Sequence, residues 1–125
     1  MLTPDQIERC NALWRRLYAC GAVRWMRGMV TSSGRVVSDG SPLRVYTCVG
    51  PRLASPEGPT PDFNDPATLG CLLAMLREAS NDPCASVVWY SAARQWVADW
   101  QGCEVEAGCE VEALLRAIEE ATNAK

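Results

Sequence analysis

The sequence predicts an α+β domain, and three observations carry that expectation. Apolar residues recur at helical spacing in three stretches, near 4–20, 66–79 and 110–122. Between them lie short runs rich in β-branched and aromatic residues, "VRWMRGMV", "GRVV", "LRVYTCVG" and "ASVVWYSAARQWVADW", a composition that suits strands. The third observation is length. A chain of 125 residues can bury one core without metal or disulfide staples. Residues 1–125 therefore read as a single domain, with 1–21 a helical N-terminal segment and 22–125 the α+β core.

The first helix begins at "TPDQ", where Thr3 can cap, Pro4 suits the first turn and Gln6 can reach back in a capping box. Ile7, Cys10, Leu13, Trp14, Leu17 and Tyr18 form its apolar stripe, and Gly21 offers a stop. From Val23 the period changes to that of strands. Residues 23–30, 34–37 and 43–50 read as an antiparallel meander broken by "TSSG" and "SDGSP". Within its third strand, Leu43, Val45, Thr47 and Val49 face one way and Arg44, Tyr46 and Cys48 the other. Residues 50–64 hold four prolines and two glycines and read as a surface loop.

Asp65 and Pro66 open a second helix striped by Leu69, Leu72, Leu73 and Leu76. A hairpin comes next, with Val87 to Tyr90, a turn near Ala92–Arg94, then Trp96 to Ala98. Since an isolated hairpin is marginal, it is expected to join the meander or a second chain, the five strands forming one antiparallel sheet with the helices on one face. Val111, Leu114, Leu115, Ile118 and Ala121 define the last helix. Before it stands "GCEVEAGCEVEA", residues 102–113, the same six letters twice. The second copy puts Cys109 at the cap position with Glu112 three residues on, and the first copy reads as added loop.

Composition excludes several chemistries. The chain has no histidine, which removes Ser-His-Asp and Cys-His pairs and the commonest general base at neutral pH. Seven cysteines are present without a C-x-x-C pair, so no zinc ligand set is expected and the cysteines read as small hydrophobes. No phosphate-binding glycine loop occurs. The expectation is a non-enzymatic protein with no metal and no cofactor. No apolar run approaches the roughly 18 residues of a membrane helix, and the start "MLTPDQIERC" lacks a signal-peptide pattern, so the default location is the cytoplasm. The net charge of −3 is unevenly spread. Residues 1–55 carry eight arginines against three acids, and residues 56–125 carry four basic residues against twelve acids. An acidic chain with few basic residues after 55 argues against binding a nucleic-acid duplex.

The stretch "DFNDPATLGCLLAMLREA" at 62–79, the Trp-bearing hairpin, the closing "EVEALLRAIEEA" and a W-M-x-G-M segment (Trp25, Met26, Gly28, Met29) together resemble a family of small bacteriophage proteins. The resemblance covers most of residues 22–122, and the doubled "CEVEAG" departs from it. It implies a viral origin, the host cytoplasm as location, and action against host defence by sequestration or occlusion.

What remains for function is binding. Arg24, Trp25, Arg27, Arg44, Tyr46, Trp89, Arg94 and Trp96 are the candidate ligand-binding residues. Rings that stack and guanidinium forks on one exposed sheet face would suit nucleotide bases and phosphates. Adjacent residues on a strand face opposite sides, so one of each pair, Arg24 or Trp25 and Trp89 or Tyr90, is expected in the core. The first reading is a protein that sequesters a small anionic nucleotide signal. The second is a protein–protein inhibitor of a host defence complex, whose acidic C-terminal half covers a basic surface. A structural or assembly accessory protein is the third, and a homo-oligomer is expected in each case.

Overall fold

The structure, a computed structural model, describes residues 1–32, 44–47, 50–53 and 60–124, the two short middle stretches as backbone only. The elements run in the order α1 (Pro4–Ala19), β1 (Arg44–Thr47), β2 (Gly50–Leu53), α2 (Pro66–Ser80), β3 (Ser86–Tyr90), β4 (Gln95–Trp100), β5 (Cys103–Ala107) and α3 (Glu110–Asn123). The class is α+β, with three helices as the periodicity implies.

Each helix begins on the side chain its sequence offers. The Gln6 amide donates to Thr3 Oγ1 at 3.2 Å, and the Thr3 amide donates to Gln6 Oε1 at 2.9 Å, closing the capping box of α1. At α2, the Asp65 carboxylate accepts the Thr68 amide at 3.0 Å, with Pro66 in the first turn. At α3, Cys109 Sγ accepts the Glu112 amide at 3.4 Å, a thiol doing the work of a serine cap. Asn81 ends α2 in the left-handed region at φ 54°, a conformation Asn tolerates.

The core is organised around α3. Its Val111, Ala113, Leu114, Leu115, Ala117, Ile118 and Ala121 are buried, and it contacts α1, α2 and all three strands from β3 to β5. Cys10, Trp14 and Leu17 of α1 and Leu72, Met75 and Leu76 of α2 complete one continuous cluster with Val23, Trp25, Met29 and Phe63 from the connecting segments. Trp14 and Trp25 meet edge to face at 5.3 Å.

The expected single five-stranded sheet is not what forms. The described strands make a three-stranded antiparallel sheet in the order β3-β4-β5 and a separate antiparallel pair, β1 with β2. Residues 23–30 are not a strand. A turn from Met26 to Met29 (Met29 amide to Met26 carbonyl, 3.1 Å), with Gly28 at φ 95°, breaks the extension, and among the described residues the segment's end pairs through a bridge between Thr31 and Pro61. The alternation that suggested a strand sends Val23, Trp25 and Met29 into the core from irregular backbone. β2 lies where a loop was expected, and the strand expected at 34–37 falls outside the described residues.

A second correction concerns the repeat. Its first copy, Cys103-Glu104-Val105-Glu106-Ala107, is β5 and not added loop. Gln101 and Gly102, at φ 47° and 81°, form a two-residue turn whose twist suits a hairpin, and it returns the chain onto β4 with Trp100 opposite Cys103. The second copy, Cys109-Glu110-Val111-Glu112-Ala113, caps and begins α3. One pentapeptide is therefore a strand in one place and a helix start in the other. The residues downstream make the difference, because only the second copy runs on into the apolar stripe of "LLRAIEEA".

Candidate functional site

The strand registers fix which side chains share a face of the sheet. Trp89 stands opposite Trp96, and Trp96 opposite Ala107, on the face toward α3; Val87, Ala98 and Val105 form the next row. On the other face stand Ser86, Val88 and Tyr90 of β3, Gln95, Val97 and Asp99 of β4, and Glu104 and Glu106 of β5. Asp99, Glu104 and Glu106 are all exposed, so this outer face has an acidic side next to an apolar one. Ser86 Oγ donates to Asp99 Oδ1 at 3.3 Å.

The apolar side is concentrated at the hairpin end of β3. Val88 is 47 % exposed and Tyr90 56 % on this outer face, while Trp89, 49 % exposed, stands between them on the opposite face of the same strand. Trp89 and Trp96 pack edge to face with centroids 5.7 Å apart. Trp96 is half-buried against the core, and its free side walls a cleft of about 360 Å³. This cleft lies where all three helices begin. Leu2 and Gln6 come from the start of α1, Asn64 and Leu69 from the start of α2, and Cys109 and Glu110 from the start of α3. The Leu2 amide donates to Asn64 Oδ1 at 3.0 Å, which ties two of those starts together.

Cys109, a lining residue of the cleft, meets the buried Cys10. Cys109 Sγ lies 3.9 Å from Cys10 Sγ, which comes from the middle of α1. Because Cys109 already accepts the Glu112 amide at a helix start, it is the better seat for negative charge and Cys10 is the donor. The hydrogen bond from Cys10 lowers the Cys109 pKa to about 7; burial and the Glu112 carboxylate oppose this, while the Glu112 amide and Arg9 assist it. Cys10 moves the other way, raised by donating that bond and by its own burial. Arg9 Nε stands 3.2 Å from Glu112 Oε1.

The eight residues singled out in the sequence are dispersed. Trp89 and Trp96 pack together, and Arg94 occupies the turn between their strands at φ 52°, exposed. Trp25 is a core residue, 1 % exposed, so it presents no stacking face. Arg24 points outward and pairs with Glu78 at 2.7 Å, and Arg27 is exposed in the segment after α1. Arg44 and Tyr46 lie in β1, whose pairing is with β2 and not with the larger sheet. The expectation that Trp89 or Tyr90 would be buried fails for both, which lie on β3 at the end of the strand order β3-β4-β5 and not on its central strand. Sequence reasoning missed the Cys10–Cys109 pair, and only the cap position of Cys109 gave a partial signal. Among the described residues no group of three His, Cys, Asp or Glu side chains could hold a metal ion.

Compared with known proteins, the chain matches no family model, no curated protein and no solved structure. The resemblance to small bacteriophage proteins thus rests on the quoted motifs alone. Among the described residues no helix is long and apolar enough to cross a membrane.

Proposed function

We propose that this chain is a non-catalytic binding protein that docks on a basic surface of a partner protein through the β3-β4-β5 sheet and its hairpin end. The observation that supports this reading is the exposed run Val88-Trp89-Tyr90 at the hairpin end, with Val88 and Tyr90 on the face that carries Asp99, Glu104 and Glu106 and Trp89 on the opposite face. Tryptophan and tyrosine are the side chains that dominate interface energetics, and an acidic rim selects and steers an arginine- or lysine-rich partner. Guanidinium groups also suit the faces of Trp89 and Trp96. Among the described residues β3 pairs with β4 alone, and its other side is an edge to which an extended segment can add.

Of the two ligand classes raised by the sequence, the geometry favours the protein partner over the anionic nucleotide. Among the described residues the cleft beside Trp96 is lined by Glu110 and by no arginine, and each helix start around it carries its own cap. Placement of the partner in a host defence complex comes from the phage-like motifs and is part of the proposal. The action is occlusion of the partner's basic surface.

The test uses a defined probe, a fluorescent extended peptide alternating arginine and valine. Saturable binding is expected, weakened by salt, and at least about tenfold weaker in a Trp89→Ser/Tyr90→Ser double variant. Binding indifferent to those substitutions would overturn the assignment. A thermal shift with cyclic nucleotides, on the order of 2.7 kcal/mol at one hundred times Kd, would return the nucleotide reading.

A further inference from the structure

We propose that Cys109 and Cys10 are a peroxide-responsive thiol pair, with Cys109, which lines the cleft, the attacking residue and the buried Cys10 the resolving thiol. Three placements carry this. Cys109 lines a cleft large enough for a small hydroperoxide, although its residue is only 4 % exposed. Its sulfur sits at the start of α3 and accepts the Glu112 amide, which is where a thiolate is stabilised. Cys10 Sγ is 3.9 Å away, so bond formation requires the sulfurs to close by roughly 1.9 Å to the usual disulfide length. With Glu110 at the cleft and Glu112 in the same first turn of α3, a neutral oxidant is favoured over an anionic one.

The chemistry balances with a hydroperoxide, ROOH, as the oxidant. The Cys109 thiolate attacks the terminal peroxide oxygen and the O–O bond breaks. The leaving alkoxide or hydroxide takes up one proton, and Cys109 becomes a sulfenic acid. Cys10 then attacks the Cys109 sulfur, the S–O bond breaks and water leaves with the Cys10 proton. Two thiols and one hydroperoxide give one disulfide, one alcohol or water, and one further water. The product staples the middle of α1 to the start of α3, elements otherwise tied by the ion pairs Arg9–Glu112 and Arg16–Glu119.

Competing thiols are present and serve as internal controls. Cys20, Cys84 and Cys103 are exposed, and Cys71 is half-buried with its thiol pushed up by burial. The experiment treats the reduced, full-length chain with limiting hydrogen peroxide and maps peptides by mass without reduction. The expected result is a Cys10–Cys109 linked peptide, lighter by the two hydrogens lost, formed before modification of the exposed cysteines. In Cys10→Ser the linked peptide is lost, and a sulfenic-acid trap such as dimedone accumulates on Cys109. Prior oxidation of Cys20, Cys84 or Cys103 with no linked peptide in the wild-type chain would overturn the proposal, and that reading needs no variant to fold. Trapping on Cys10 instead, in Cys109→Ser, would reverse the assigned roles.

Discussion

Trp89 and Trp96 stand directly opposite each other on β3 and β4 and pack edge to face at 5.7 Å, yet only Trp96 also packs against the core. The two rings therefore divide stability from recognition. Trp89→Ala removes an exposed ring and the pair interaction, about 0.5–1.5 kcal/mol. Trp96→Ala removes the same pair and also uncovers core, about 3 kcal/mol. Urea unfolding of both variants checks this, and equal losses would show that Trp89 is part of the core. Peptide binding should suffer at least as much in Trp89→Ala as in Trp96→Ala.

Ile118 decides whether α3 is the centre of the fold. It is fully buried on a helix that touches α1, α2 and the sheet. Ile118→Ala should destabilise by about 2–5 kcal/mol, the transfer loss plus the cavity left behind. Arg116, two residues away and exposed, donates to the Glu106 carbonyl at 3.3 Å. Arg116→Ala should change stability by no more than about 0.5 kcal/mol. A chemical denaturation series gives both values, and a small loss at Ile118 would remove α3 from its central place.

Much of this architecture was legible because local rules and tertiary packing agree. Thr3, Pro4 and Gln6 marked the start of α1, Asp65 and Pro66 that of α2, and Cys109 with Glu112 that of α3, and all three caps form. The hairpin of β3 and β4 was legible from its aromatic runs. β5 was not, because the six-letter repeat suggested insertion, although Gln101-Gly102 before a period-two Cys-Glu-Val-Glu-Ala is a hairpin signal. The segment around Trp25 misled for the opposite reason: buried irregular backbone can alternate like a strand. Nothing local could join Cys10 to Cys109, since 99 positions separate them and their meeting depends on how α1 packs against α3.

Arg16 reaches Glu119 with two parallel bonds, Nε to Oε2 at 3.0 Å and a terminal nitrogen to Oε1 at 2.9 Å, linking α1 to α3. The side chains are 62 % and 30 % exposed, so solvent screens the pair despite its good geometry. A double-mutant cycle with Arg16→Ala and Glu119→Ala should give a coupling of about 0.2–1 kcal/mol, falling as salt rises. Arg16→Lys should recover only part of it, because lysine cannot present the planar fork. A coupling that is unchanged at high salt would mean that packing of the arginine stem, and not charge, joins the helices.

The Cys109 thiol should titrate at about 7, below an ordinary thiol, and the cause can be isolated. The groups facing it are Cys10 across from it, the Glu112 carboxylate on its own helix, and Arg9 of α1. Alkylation by iodoacetamide tracks the thiolate, so its rate at Cys109 should climb about tenfold per pH unit below the lowered value and level off above it. Peptide mapping between about pH 5 and pH 10 reads this site by site. Cys10→Ala removes the donor that holds the charge on Cys109, so the midpoint should move to higher pH. Cys10→Ser keeps a donor and should leave the midpoint low, unless the shorter C–O bond draws the hydroxyl out of reach. The sign is fixed by the arrangement. A donor that stabilises the thiolate can only raise the pKa when it is lost, so a downward move in Cys10→Ala would mean that Cys109 donates and Cys10 holds the charge.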